Sequence, residues 1–187
     1  MEITTIQPFL QYFSKVRERT LRVAACVSPD KVDWTYAPGK FTIGDLLRHI
    51  AITERYMFAE NVQGNPSRYT SHGREFGDTY EQILLLMEDL HKQSMEIFSR
   101  LTNEDLQKKC PTPGGIQITT WKWLRSLAEH EIHHRGQLYL YLALLGVPTP
   151  ALYGLTSEEV RARSESDVLF TSPPAAPSLP TAPPLPH

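Results

Sequence analysis

Apolar residues recur along most of this chain every three to four positions and almost nowhere alternate, which is the period of an α-helix rather than of a strand. Four long segments carry it. Each is apolar on one stripe only, so the four must cover one another, and the expected architecture is an all-α four-helix bundle. The first segment, "IQPFLQYFSKVRERTLRVAACV", places Phe9, Phe13, Val16, Leu21 and Ala24 on one broad face and is expected to stop near Ser28 and Pro29. The second starts at Thr42, with Asp45 three residues on as a near capping box, and runs to about Val62. The third, "TYEQILLLMEDLHKQSMEIFSRL", follows Asp78 as its expected N-cap. The fourth begins after Thr119 or Thr120 and spans Trp121 to Leu145, ~37 Å of helix, before Gly146 and Pro148 end it.

The links differ in kind. Sixteen residues, Gln63 to Asp78, separate the second and third helices, which is long for a bundle and suits a crossover or an active-site lid. "PTPGGIQI" before the fourth helix has room for a brief extended piece, and "TSEEVRARS" for a fifth, short helix. The chain ends on "TSPPAAPSLPTAPPLPH", a proline-rich stretch with no charge and almost no large apolar residue of the kind a core needs. The expected division is therefore a bundle domain over 1–166 and a disordered tail over 167–187.

Composition narrows the function. With a net charge of -2 and no clustered Lys and Arg, the chain lacks the basic surface that nucleic acid requires. No segment is apolar enough to span a membrane, and the start carries no basic-then-apolar leader. The two cysteines, Cys26 and Cys110, make neither a CxxC pair nor a disulfide framework, as in a reducing, cytoplasmic setting. The expected partner is a small molecule, and a homodimer is compatible with this reading.

The fourth helix holds the chemistry. "AEHEIHHRGQLYLYLALLG" sets His130, His133 and His134 within five residues. At ~100° per residue, His130 and His134 fall about 40° apart, with Trp123 and Tyr141 between them and Leu127, Leu138 and Leu145 just beyond His134. They are thus expected in the middle of the apolar stripe, with His133 on its shoulder. Imidazoles at i and i+4 lie about 6 Å apart at Cβ and can hold one ion. A third ligand is required, and His49, at the edge of the second helix's apolar face, is the candidate. His72 lies in the long link and His91 among polar residues of the third helix, so neither is favoured. Three neutral imidazoles suit divalent zinc, nickel, iron, manganese or copper, and leave positions open for water or substrate. Glu131, His133 and Gln137 are candidates to orient the ligand rings. Gly136 costs roughly 1 kcal/mol in mid-helix relative to Ala, which close approach of another backbone would explain. A rival reading exists, since His130-Glu131-Ile132-His133-His134 also satisfies H-E-x-x-H, the zinc-protease pattern with Glu131 as general base.

"FTIGDLLRHIAITERYMF" followed by "HEIHHRGQLYLYLALLGVPTPALYG" resembles the DinB/YfiT-like family of metal-dependent enzymes, over about residues 1–166. The matching features are a histidine on the second helix, H-x3-H followed by R-G-Q-L, and a G-V-P ending, here His49, His130, His134, Arg135 to Leu138 and Gly146 to Pro148. The resemblance implies that His49, His130 and His134 are metal ligands. It also implies an up-down-down-up helix order, for which the long link would connect parallel second and third helices. Relatives of this family include S-transferases and isomerases that use low-molecular-weight thiols such as bacillithiol, mycothiol or glutathione, and hydrolases of small substrates. The implied activity is a metal-dependent transfer of a thiol to a small electrophile, with hydrolysis or a non-catalytic metal-binding bundle as alternatives.

Overall fold

The computed structural model describes residues 2–168, so the proline-rich segment expected to be disordered lies, from residue 169 on, outside the described residues. Two compact units are present, one reaching Pro150 and one beginning at Ala151. The second contains α5 (Ser157–Val168). The first contains α1 (Ile6–Ala24), α2 (Ile43–Thr53), α3 (Tyr80–Ser99) and α4 (Thr120–Leu144). No described helix is long and apolar enough to cross a membrane.

Helix starts follow local chemistry. Thr42 and Asp45 form a full capping box on α2, each side chain bonding the other's backbone N–H. On α3 the cap is Thr79 rather than the expected Asp78. Thr79 Oγ1 accepts from Gln82 N and Gln82 Oε1 accepts from Thr79 N, while the Asp78 carboxylate is taken by Arg74. Past Leu145, Gly146 adopts φ 70°, a left-handed angle that glycine reaches without strain, and closes α4. The expected extended piece is a small antiparallel hairpin, β1 (Lys109–Pro111) with β2 (Gln117–Thr119), paired Cys110 to Ile118. Both cysteines are free.

Long-range contacts fix the direction of each helix. Phe13 meets His91 and Tyr80 bonds the Ala24 carbonyl, so α1 and α3 are antiparallel. Arg48 bonds the Gly77 carbonyl and Glu54 bonds His91, so α2 and α3 start at the same end and run together. Tyr141 bonds the Phe41 carbonyl and Trp123 meets Phe58, so α4 opposes α2. The order is up-down-down-up, and the parallel pair explains the long link. One end of the core is aromatic, with Phe9 stacked on Phe13 at 5.6 Å and Phe98 edge-on to both.

Two local features depart from a regular bundle. Beyond Thr53, α2 widens into a π-helical stretch (Glu54–Phe58) before a last turn (Ala59–Asn61). This shifts the phase of its buried face just after His49, and such bulges recur at functional sites. The centre of the buried face of α4 is also rotated from expectation. Leu124, Leu127, Ala128, Leu138 and Leu142 share it with Glu131 and Arg135, both nearly inaccessible, while His130 and His134 lie on its half-buried shoulder. A stripe drawn through apolar side chains alone could not count a compensated ion pair as core. Gly136 faces open space, with nothing within 4 Å of where a Cβ would stand, so no backbone approach explains it.

Candidate metal centre

Three ring nitrogens converge between α2 and α4. His49 Nε2 lies 3.1 Å from His130 Nε2, and His134 Nε2 lies 3.0 Å from the same atom. Ligand atoms of the three residues all fall within 4.8 Å of one another. One helical turn separates His130 from His134, and the antiparallel α2 brings His49 across from them.

Proton bookkeeping describes this cluster well. Gln137 Oε1, an acceptor, stands 2.7 Å from His134 Nδ1, so that nitrogen carries the ring hydrogen and Nε2 is a bare lone pair. Burial holds His130 down to about 3, reinforced by the positive charge His134, His49 and His133 would carry. His49 is lowered to about 4, again mainly by burial and then by His134 and His72. His134 is lowered by burial too, and by His133, though Gln137 opposes the shift. All three rings are therefore neutral near pH 7, and nitrogens about 3 Å apart cannot each present a lone pair to the other without something positive between them. A divalent cation at their centre satisfies all three at once, so the residues fit a metal.

The other residues singled out by sequence divide clearly. Gln137 reaches His134 as described. His133 is exposed, stacks edge-on to His134 at 4.9 Å, and meets the Gln137 amide nitrogen at 3.2 Å. Glu131 turns the other way. Its Oε2 accepts from Arg17 at 3.0 Å, and Arg17 also pairs with Glu54. Burial pushes the Glu131 carboxyl up, Arg17 pulls it down, and the Glu54 charge raises it again. His91, expected among polar surroundings, is half-buried and 2.9 Å from Glu54 Oε1. Arg17, Glu54, His91 and Glu131 thus form a buried ionic layer with one member from each long helix. With Glu131 committed there, the zinc-protease arrangement is not formed.

Sequence reasoning passed over Tyr69 and Phe41 and set His72 aside. Tyr69 Oη lies 3.0 Å from His49 Nδ1 and 2.7 Å from His72 Nδ1, and burial raises its phenol, which stays protonated. Phe41 covers His72 at 4.3 Å and His49 at 5.4 Å. No periodicity marks residues in links, and the one available signal was a histidine and a tyrosine three apart in a link of unusual length. A groove of about 470 Å³ between the start of α1 and α4, lined by Ile3, Phe9, Tyr12 and Arg125, includes none of the three histidines.

Comparison with known proteins gives consistent relatives. The family model of the DinB superfamily matches residues 12–138. The YjoA protein of Bacillus subtilis (strain 168), described as uncharacterized, is 26% identical over 140 residues, covering 73% of this chain and 88% of YjoA. A DinB-like protein from Bacillus cereus superposes with a TM-score of 0.68 at 22% identity, covering 80% of this chain and 99% of the other. YfiT from Bacillus subtilis, described as "a probable metal-dependent hydrolase with an unusual four-helix bundle topology", superposes with a TM-score of 0.62 at 17% identity, covering 76% and 89%.

Proposed function

The chain belongs to the DinB superfamily, and on that premise we propose that it is a metal-dependent enzyme whose divalent ion is held by His49, His130 and His134 and which transfers a low-molecular-weight thiol to a small electrophile. The observation that carries this reading is the donor set. Among the described residues these are the His, Cys, Asp and Glu side chains whose ligand atoms come together, and all three are neutral. An ion so held keeps its full charge and lowers the pKa of a thiol or water beside it. Gln137 orients His134, and Phe41 shields one side of His49.

The choice of thiol over water rests on the missing base. Glu54 and Glu131 are turned into the core against Arg17, so among the described residues no carboxylate joins the three histidines to take a proton from water. A thiol, with an ordinary pKa near 8.5, loses its proton with far less help than water at 15.7. The sulfur then attacks an electrophilic carbon, a C–S bond forms, the leaving group departs with its electron pair, and the thiol proton passes to solvent. A second reading, hydrolysis of a small ester or amide, is favoured by the description of YfiT.

Elemental analysis of the purified protein comes first, followed by electrophile consumption with bacillithiol, mycothiol, glutathione and cysteine, each with and without metal. Turnover that requires metal and thiol together supports the transferase. Metal-dependent ester or amide cleavage without any thiol replaces it with the hydrolase, and metal binding with no turnover leaves a binding protein.

A further inference from the structure

The link between α2 and α3 does more than span a distance, because it delivers a hydroxyl to the outer nitrogen of one histidine. We propose that Tyr69 is a positioning residue of the metal centre, which fixes the tautomer of His49 and couples metal loading to the docking of residues 68–77. This rests on the three-histidine reading above.

The argument follows the hydrogens. If His49 presents Nε2 to the ion as a bare lone pair, its ring hydrogen must sit on Nδ1. Tyr69 Oη, 3.0 Å away, then has to accept. Its own single hydrogen is free for His72 Nδ1 at 2.7 Å. The chain runs one way, from His49 Nδ1–H to Tyr69 Oη–H to His72 Nδ1, with the His72 hydrogen on Nε2. The competing partner of His49 Nδ1, the Thr53 hydroxyl, is farther at 3.3 Å.

The end of this chain is held by the residue preceding His49. Arg48, 1% exposed, donates Nε to the His72 carbonyl at 2.8 Å and a terminal nitrogen to the Gly77 carbonyl at 2.8 Å, with Asp45 as counter-charge at 2.7 Å. Gly44 makes room for this guanidinium, since a Cβ there would stand 3.1 Å from it and 3.1 Å from the Val32 carbonyl. One helix thus supplies both a metal ligand and the clamp for the link that orients that ligand. Partners of this kind typically change metal affinity 10–100-fold. By linkage, the ion must strengthen the docking of the link by the same factor.

Co2+ serves as the probe, titrated into metal-free protein by its visible absorption, with hydrogen exchange followed across residues 66–77. Tyr69→Phe keeps the ring and removes the hydroxyl. It is expected to weaken Co2+ binding about 10–100-fold and to erase most of the Co2+-induced protection of the link, with the metal-free melting temperature unchanged. His72→Gln, which still offers Tyr69 an acceptor, should stay within about threefold of wild type. Unaltered affinity and protection in Tyr69→Phe, beside loss of Co2+ binding in His49→Ala, would overturn the role of Tyr69 alone. Unaltered Co2+ binding in both variants would overturn the three-histidine reading and this inference with it. A lowered metal-free melting temperature with unchanged Co2+ affinity would mark Tyr69 as purely structural.

Discussion

Two pairs of side chains sit four residues apart on α4, out of phase by a single position: His130 with His134, and Glu131 with Arg135. The first pair lies half-buried on the shoulder of the helix, neutral, its nitrogens facing His49. The second lies at the centre of the buried face, where Glu131 meets Arg17 and Arg135 donates to the Val16 carbonyl at 3.1 Å. Burial acts on both, with opposite solutions. Glu131 is paired with a charge from another helix, the Arg17 guanidinium that also holds Glu54. The imidazoles are instead discharged, and their ring nitrogens converge on one point. A polar cluster built from opposite charges on separate helices ties those helices together, whereas neutral donors that converge on one point are poised for a ligand.

The sharpest way to break this comparison is His130→Ala. It should reduce Co2+ affinity by at least ~100-fold, because a two-ligand site remains, while helical circular dichroism persists. Full Co2+ occupancy would end the distinction. The reciprocal variant, Arg17→Met, leaves two carboxylates buried without their partner and should cost about 3–5 kcal/mol of stability in denaturant unfolding. Co2+ bound per folded chain should not change. If Arg17→Met instead removed the metal at full stability, the two regions would have exchanged roles.

Acid sharpens the same contrast. An unfolded histidine takes its proton near pH 6.5, whereas folded His49 and His130 do so only near 4 and 3, so the unfolded chain binds more protons in between. Stability of the metal-free protein should therefore be full above pH 6.5 and fall progressively as pH drops toward 4. Identical denaturant midpoints at pH 7.5 and 5 would show that the histidines are not held neutral. A smaller effect is expected at Gln137→Leu, about tenfold in Co2+ affinity, through loss of the acceptor that orients His134. The smallest belongs to the outer face of α4. Gly136→Ala meets open space and should stabilise by up to about 1 kcal/mol without touching metal binding, which thermal unfolding and a Co2+ titration can check together.

Much of this molecule was legible in its residues. Periodicity, the Thr42 capping box and the Gly146 stop located the helices, and the i, i+4 spacing put His130 and His134 on one face with no knowledge of a partner. His49 stood out because a histidine at the edge of an apolar face is uncommon enough to notice. Local interactions carry this information, for they reach only one helical turn, and a linear sequence records them directly. The rest depended on which surfaces meet. Arg17, Glu54, His91 and Glu131 look in sequence like ordinary charged or polar positions of separate helices, and packing alone makes them one buried layer. Tyr69 and His72 lie in a link with no periodicity, and only the parallel run of α2 and α3, with Arg48 clamping the link, carries them to His49. The π-helical stretch after His49 likewise contains no Gly or Pro that would have marked it in the sequence. Sequence pattern reports which side of an element avoids water. What stands opposite that side is set by contacts between residues far apart in the chain, and those exist only once the bundle has closed.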